Sequence, residues 1–239
     1  MAIAREVKPK LPKPPNLNPS FIKSRIINIK YPTGWVTADE LVKLANVAER
    51  YGFGYVLLFN NQNAYIPVHE EVKEIKGLGN YEVRDPGPIY PEGPITVACI
   101  GSELCPPGLI DTTSLGRKIH VHLNELKEPI RIGISGCTHD CGMSWVSDIG
   151  LEPFGFKTRI LVTIGGEPGQ LGFIVGTVDP NDAELTVKAI LGMYSKSGIH
   201  GIREFAVKIG IDAIRGELKK QVPSFQPPDN SVINIFGPE

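Results

Sequence analysis

The 239-residue sequence predicts an α+β protein with two folded parts. Residues 22–88 contain a strand, a helix and a second strand, followed by further strand and helix material. Residues 89–221 alternate short strands with helices. Between these parts, residues 84–88 hold two prolines and a glycine, which predicts a linker because these residues disfavour regular structure. Hydrophobic residues make up 41% of the chain, which suffices for a packed core.

Both ends of the chain are predicted to be arms outside the folded parts. Prolines recur through residues 8–20, and proline fits neither a helix interior nor a central strand. Residues 222–239 have a similar character. We therefore expect an N-terminal arm over 1–21 and a C-terminal tail over 222–239.

The first part begins with a predicted strand at Arg25–Lys30, where isoleucine alternates with polar residues. A Thr-x-x-Glu capping box at Thr37 and Glu40 predicts the start of a helix, and Gly52 predicts its end. The apolar run Tyr55–Phe59 then predicts a buried strand. This strand, helix and strand resemble half of a ferredoxin-like α+β unit.

The second part has its strands placed directly before cysteines. Ile95–Ala98 predicts a short strand that ends at Cys99, and Ile130–Ile134 predicts another that ends just before Cys137. An apolar stripe predicts a helix over Thr112–Leu126. Further strands are predicted at Arg159–Ile164 and Gly172–Val178, and further helices at about Ala183–Tyr194 and Ile202–Leu218.

The four cysteines form two close pairs, Cys99-x5-Cys105 and Cys137-x3-Cys141. Pairs that the fold brings together can present four thiolates to an iron–sulfur cluster or to zinc. The five-residue gap is longer than the gaps usual in zinc sites, which favours the cluster. Four unrelated buried cysteines are the least favoured interpretation.

Composition limits the partners and the compartment. The formal net charge of −1 gives no bulk electrostatic reason to expect nucleic acid or an anionic membrane as partner. No apolar stretch approaches the roughly 20 residues of a membrane span, and the N-terminus lacks the apolar core of a signal peptide. We therefore expect a cytoplasmic protein, in which paired cysteines bind metal more often than they form structural disulfides.

The context of the cysteines resembles the siroheme and [4Fe–4S] sulfite and nitrite reductase family. The similar segments are Ile134-Ser135-Gly136-Cys137, Asp148-Ile149-Gly150-Leu151, Cys105-Pro106 and Ile164-Gly165-Gly166. The resemblance extends weakly to the ferredoxin-like stretch from Ile26 to Ile66, so that it covers most of the chain outside the arms. The combination is far more specific than either cysteine pair alone. The chain resembles a low-molecular-weight member of this family with a single repeat.

The resemblance implies that Cys99, Cys105, Cys137 and Cys141 hold a [4Fe–4S] cluster, and that Cys141 also bridges to the siroheme iron. It implies six-electron reduction of sulfite to sulfide, or of nitrite to ammonia, with the protein binding the anion and delivering protons. Two other functions remain open. One is a siroheme and cluster protein that carries electrons or tetrapyrrole without reducing sulfite, and the other is a zinc-stabilised interaction module.

Siroheme carries eight carboxylates, so its pocket needs cationic and polar side chains. The predicted cofactor-binding residues besides Cys141 are Asn61, Gln62, Arg117, Lys118, Arg131 and His139. The predicted substrate-binding residues are Lys157, Arg159 and Lys30. Lys157 and Arg159 share a predicted strand face, at the point where relatives place substrate lysines in their other repeat. For each residue the alternative is an ordinary loop or surface role.

Two further expectations concern partners. Larger family members contain this unit twice and this chain contains it once. Either a homodimer rebuilds the missing half or the protein works without it, and the homodimer is favoured because a large macrocycle needs walls on both faces. The chain has no C-x2-C-x2-C set and no glycine-rich dinucleotide fingerprint. An external electron donor such as a ferredoxin is therefore expected.

Overall fold

The computed structural model describes residues 25–73, 75, 82–84, 93–124, 126, 128–154 and 159–228. The predicted N-terminal arm, most of the linker and the end of the tail lie outside these residues. The fold divides the chain into two compact units. Residues 30–37 and 58–64, which the sequence analysis assigned to the first part, group with the second unit.

Within the described residues, the first sheet has four strands, and one α-helix lies in the segment between its first and second strands. Its strands are β1 (Arg25–Lys30), β2 (Leu57–Leu58), β3 (Asn63–Val68) and β4 (Glu82–Arg84), in the order β2-β3-β1-β4. β1 and β4 are antiparallel, and Ile27 lies opposite Val83. Helix α1 (Ala38–Tyr51) begins directly after Thr37, as the sequence predicts, and buries Leu44, Val47 and Ala48.

The predicted buried strand at Tyr55–Phe59 is wrong. The structure has a strand only at Leu57–Leu58, and both residues are exposed, Leu58 by 73%. This strand is at the edge of the sheet, where one hydrogen-bonding side has no neighbour. A short apolar run does not distinguish an edge strand from a central one.

The second sheet has five strands with mixed directions. They are β5 (Ile95–Ala98), β6 (Arg131–Ile134), β7 (Ile149–Phe154), β8 (Arg159–Ile164) and β9 (Phe173–Val178), adjacent in chain order. β5, β6 and β7 are parallel, whereas β8 and β9 each run antiparallel to the strand before. The carboxyl ends of β5, β6 and β7 therefore lie at one edge of this sheet.

Helices pack on the second sheet through an apolar core. The short α2 (Gly101–Leu104) has no residue in this core, to which the other helices each contribute: α3 (Thr112–Val121), α4 (Ala183–Ser197), α5 (Ile202–Ile209) and α6 (Ile211–Gln221). Ile132, Ile149 and Ile160 of the strands are fully buried in one cluster with Ile190 and Phe205 of the helices. The α+β class predicted from the sequence is confirmed.

Two departures from the predicted elements have local causes. The helix predicted over Ile202–Leu218 is broken between α5 and α6 at Gly210, whose φ of 86° is outside the helical region. Strand β7 was not predicted, because Gly150 and Pro153 both disfavour a central strand. Among the described helices, none combines the length and hydrophobicity needed to cross a bilayer.

Candidate functional site

The two cysteine pairs lie beside one another at the carboxyl edge of the second sheet. Cys99 follows β5 directly, and Cys137 is in the loop after β6. The two strands are parallel neighbours, with Ala98 opposite Ile134 at their ends. The fold therefore brings together the two cysteine-bearing loops, residues 99–111 and 135–144.

Hydrogen bonds join these two loops. The Cys99 N–H donates to the Ile134 carbonyl at 3.1 Å, and the Leu109 N–H donates to the Gly136 carbonyl at 2.7 Å. The Gly136 N–H donates to Cys99 Sγ at 3.1 Å. Backbone N–H groups aimed at cysteine sulfur are typical of the surroundings of metal-bound cysteines.

All four cysteines are free thiols. Cys99, Cys105 and Cys137 are partly exposed, and Cys141 is exposed. Within the part of the chain that the structure describes, no three His, Cys, Asp or Glu side chains meet closely enough to hold one metal ion. A [4Fe–4S] cube takes each thiolate at a different iron, so four thiols spread over two adjoining loops fit its ligand chemistry.

A buried polar network shapes the loop that holds Cys137 and Cys141. Asp140 Oδ1 accepts from Ser135 Oγ at 2.7 Å, from the Ser144 N–H at 2.6 Å and from Ser144 Oγ at 2.6 Å. Ser135 Oγ in turn accepts from the Gly142 N–H at 3.1 Å. These bonds hold Asp140, directly before Cys141, in a left-handed conformation with φ 51°.

The same loop passes very close to the end of β6. A Cβ atom at Gly142 would lie 2.0 Å from the Ile134 carbonyl oxygen, so only glycine fits. The close approach brings the second cysteine pair down onto the sheet edge.

Glu152 of β7 lies under this loop and is 7% exposed. One of its oxygens, Oε2, lies 3.2 Å from Ser144 Oγ and accepts from Trp145 Nε1 at 3.2 Å. Burial, and then the charge of Asp140, raise the pKa of Glu152 to about 7. Sequence analysis missed Glu152 because a single acid in an unrecognised strand gives no distinctive signal. It missed Asp140 and Ser144 because their bonds to each other and to Glu152 form only in the folded loop.

Gln62 and Asn61 form bonds within the protein. The Gln62 amide pairs with the backbone of Ala98, accepting at Oε1 and donating from Nε2. Asn61 is buried, and its Oδ1 accepts from the Asn63 N–H at 3.1 Å. Gln62 thus lies beside the residue before Cys99, and the predicted contact of both residues with a cofactor remains a prediction.

Three further predicted residues lie near the cysteine loops. His139 is exposed, and its Nδ1 is 3.4 Å from Cys137 Sγ. Arg117 and Lys118 are exposed on α3, whose first residue, Thr112, donates from Oγ1 to the Cys99 carbonyl. Both cations are therefore within two turns of the helix end that contacts the first cysteine loop.

Lys30 and Arg131 lie near the amino ends of β5 and β6, at the opposite end of these strands from the cysteines. Lys30 Nζ is 3.5 Å from the carbonyl oxygen of Pro94, just before β5 begins. Arg131 begins β6, and its N–H donates to Asp148 Oδ2 at 2.7 Å. About 16 Å of strand separates Pro94 from Cys99, so these positions lend no support to roles beside the cysteines.

Arg159 contacts protein groups with each of its nitrogens. Nε donates to Thr177 Oγ1 at 2.9 Å, Nη1 to Asp179 Oδ1 at 2.6 Å and Nη2 to the Ser224 carbonyl at 2.6 Å. The guanidinium thereby ties β8 to β9 and to the segment after α6. Lys157 lies outside the described residues.

Three comparisons relate the chain to known proteins. Residues 95–224 match the family model of the nitrite and sulphite reductase 4Fe-4S domain. The chain is 33% identical over 131 residues to the ferredoxin–nitrite reductase of Betula pendula, a match covering 52% of this chain and 22% of that protein. It is 29% identical over 126 residues to the assimilatory-type sulfite reductase of Nitratidesulfovibrio vulgaris, covering 49% of this chain and 57% of that protein.

Among solved structures, the crystal structure of dissimilatory sulfite reductase I is similar, with a TM-score of 0.60 and 12% identity. The likeness covers 87% of this chain and 72% of that chain. At this identity it shows a shared fold. The chain thus spans less than a quarter of the plant enzyme and just over half of the assimilatory-type one.

Proposed function

Because this chain belongs to the nitrite and sulphite reductase 4Fe-4S domain family, we propose that it reduces sulfite to sulfide at a siroheme joined to a [4Fe–4S] cluster. The observation that carries this proposal is the pairing of two cysteine loops at the ends of the parallel strands β5 and β6. All four thiols lie within residues 95–224, the part that matches the family model.

When bound, the cluster and siroheme supply the electrons and the iron at which the anion is reduced. Cys99, Cys105, Cys137 and Cys141 would hold the cluster, and Cys141, the most exposed of the four thiols, would also be the ligand shared with the siroheme. The Gly136 N–H, which donates to Cys99 Sγ, would orient this ligand. His139 donates a hydrogen bond toward Cys137 when Nδ1 carries a proton.

The macrocycle carboxylates and the substrate anion need cations from this chain. Arg117 and Lys118 are exposed near the first cysteine loop, and they bind siroheme carboxylates in this proposal. Lys157 binds the sulfite oxygens and orients the anion in this proposal, because relatives place substrate lysines at the corresponding point of their other repeat.

Nitrite is the alternative substrate, since the nitrite reductase of Betula pendula is among the similar proteins. That enzyme is a ferredoxin–nitrite reductase, which supports a ferredoxin-like external donor for this chain. A third possibility is a siroheme and cluster protein that transfers electrons without reducing either anion. The internal hydrogen bonds of Asn61 and Gln62 favour it, because these amides are used within the protein.

Turnover of cofactor-loaded protein with a chemically reduced dye tests these functions. Sulfide from sulfite supports the proposal, ammonia from nitrite alone supports the alternative substrate, and neither product supports the electron-transfer function. Lys157→Ala is expected to leave the visible spectrum unchanged and to lower turnover at least tenfold, about 1.4 kcal/mol in barrier. Lys219→Ala, which removes an exposed lysine of α6, is the matched control.

A further inference from the structure

A single hydroxyl joins two carboxyl groups beneath the second cysteine loop. Ser144 Oγ lies 2.6 Å from Asp140 Oδ1 and 3.2 Å from Glu152 Oε2. Asp140 is in the loop that holds Cys137 and Cys141, whereas Glu152 is in the central strand β7. Ser144 is therefore a side-chain link between the loop and β7, in addition to the backbone bond from the Ser135 N–H to the Leu151 carbonyl at 2.9 Å.

The two contacts of Ser144 Oγ can both be hydrogen bonds only if one further proton is present on a carboxyl group. A serine hydroxyl has one proton to donate, so Ser144 can donate to only one of the two carboxyl groups. The shorter contact assigns that proton to Asp140, whose Oδ1 also accepts from the Ser144 N–H at 2.6 Å. The contact between Ser144 Oγ and Glu152 is then a hydrogen bond only if Glu152 is the donor.

We propose that Glu152 is a protonated carboxylic acid that donates to Ser144 Oγ and thereby positions the cysteine loop through Asp140. Glu152 is a positioning residue, because it contacts Ser144 and Trp145 and acts on Cys141 through the loop. The link to a cluster rests on the proposed function, since it takes this loop as the cluster-binding one.

The surroundings of Glu152 explain how the proton is held. The residue is 7% exposed, and its partner on β8 is the apolar Leu161. Among the described residues, Asp140 is the ionisable group whose charge acts on it, and that charge is negative. Burial and this charge raise the pKa of Glu152 to about 7, so the acid loses its proton as the solution becomes mildly alkaline.

Loss of the proton has a defined structural consequence. Two carboxylates then share one hydroxyl proton, and the Ser144 contact to Glu152 is no longer a hydrogen bond. The loop loses this side-chain bond to β7, while the backbone bond from Ser135 to Leu151 and the bonds to Asp140 remain. The second cysteine pair is therefore held less firmly above about pH 7, where Glu152 is ionised, than below it.

Infrared difference spectroscopy of the cofactor-loaded full chain tests the protonation directly. Glu152→Gln is the informative variant, because its amide keeps a donor for Ser144 and does not titrate. At mildly acidic pH the wild type is expected to show a carboxylic acid carbonyl band that Glu152→Gln lacks. Asp148→Asn identifies the band of the other carboxyl group with a raised pKa. No difference between wild type and Glu152→Gln would overturn the proposal.

The rate at which the cluster is lost tests the positioning role. In the wild type, loss of visible absorbance is expected to become several-fold faster as pH rises from about 6 to about 8. In Glu152→Gln the rate is expected to be nearly constant over this range. Glu103→Gln, which removes an exposed carboxylate beside the first cysteine loop, is expected to behave as the wild type. Equal pH profiles for wild type and Glu152→Gln would overturn the positioning role.

The outcome separates this inference from the proposed function. Protein that contains no iron or acid-labile sulfide in any variant contradicts the proposed function, while the infrared band still decides the protonation of Glu152. Protein that holds the cluster but shows no Glu152 band contradicts the inference alone. Should Glu152→Gln fail to fold, the pH dependence of the wild-type infrared band decides the matter.

Discussion

The side-chain amide of Gln62 pairs with both backbone groups of Ala98. Gln62 Oε1 accepts from the Ala98 N–H at 3.1 Å, and Nε2 donates to the Ala98 carbonyl at 2.5 Å. Strand β5 is at the edge of its sheet, so these groups face away from β6. Gln62 therefore takes the place of a neighbouring strand directly before Cys99.

Gln62→Glu is expected to weaken this pairing and to destabilise the first cysteine loop. A carboxylate cannot donate to the Ala98 carbonyl and places negative charge against it, at a cost of about 1–3 kcal/mol. Denaturant unfolding and the rate of cluster loss measure the effect. Gln170→Glu makes the same change in an exposed turn and serves as the control. Equal behaviour of the two variants would show that the Gln62 pairing contributes nothing.

Gly142→Ala is expected to displace the second cysteine loop. The added Cβ would lie 2.0 Å from the Ile134 carbonyl oxygen, and backbone on both sides must shift to relieve the overlap. We expect a loss of about 2 kcal/mol or more in unfolding free energy, together with reduced iron content. In Gly192→Ala the new methyl group on α4 meets nothing within 4 Å. That control is expected to be neutral or to gain up to about 1 kcal/mol, and loss of stability there instead would contradict the account.

Arg159→Lys distinguishes a structural role from substrate binding. Lysine cannot reproduce the separate bonds to Thr177, Asp179 and Ser224, so we expect a stability loss of about 1–2 kcal/mol. Thermal unfolding measures this loss, and turnover per bound siroheme is expected to stay near the wild-type value. Unchanged stability with reduced turnover would instead support the substrate-binding role predicted from the sequence.

Asp148 is expected to make stability fall as pH rises from about 4 to about 6. Burial raises its pKa to about 6, above the value of the unfolded chain, so the native state binds more protons in this window. The contribution of Asp148 to stability is complete below the pKa that this carboxyl has in the unfolded chain. It is lost as the pH rises through the higher pKa of the native state. Denaturant unfolding at several pH values should show a decline on the order of 2 kcal/mol. Asp148→Asn should flatten the decline, and an unchanged curve would refute this assignment.

The strands that carry the cysteines were predictable from sequence, because local patterns encode them. Apolar residues at Ile95–Ala98 and alternating isoleucines before Cys137 mark β5 and β6. Helix α1 could likewise be predicted from its capping box and its terminal glycine. In these segments, local preference and the final fold agree.

The surroundings of the cysteines were less predictable, because they depend on contacts between distant segments. Gln62 bonds to Ala98, which is 36 residues further along the chain, and the sequence around Gln62 does not indicate that it pairs with the edge of a strand. Arg131 begins the strand that leads to Cys137, yet strand direction puts it at the other edge of the sheet. Glu152 is in a strand that Pro153 and Gly150 concealed.

The most direct test of the central claim is the iron and acid-labile sulfide content of anaerobically purified protein, measured together with its visible spectrum. The account predicts acid-labile sulfide from the cluster, more iron than sulfide because siroheme adds iron of its own, and siroheme bands in the spectrum. It also predicts that Cys141→Ser removes the cluster and the coupling to siroheme together. A colourless protein that contains zinc and neither iron nor sulfide would contradict the account.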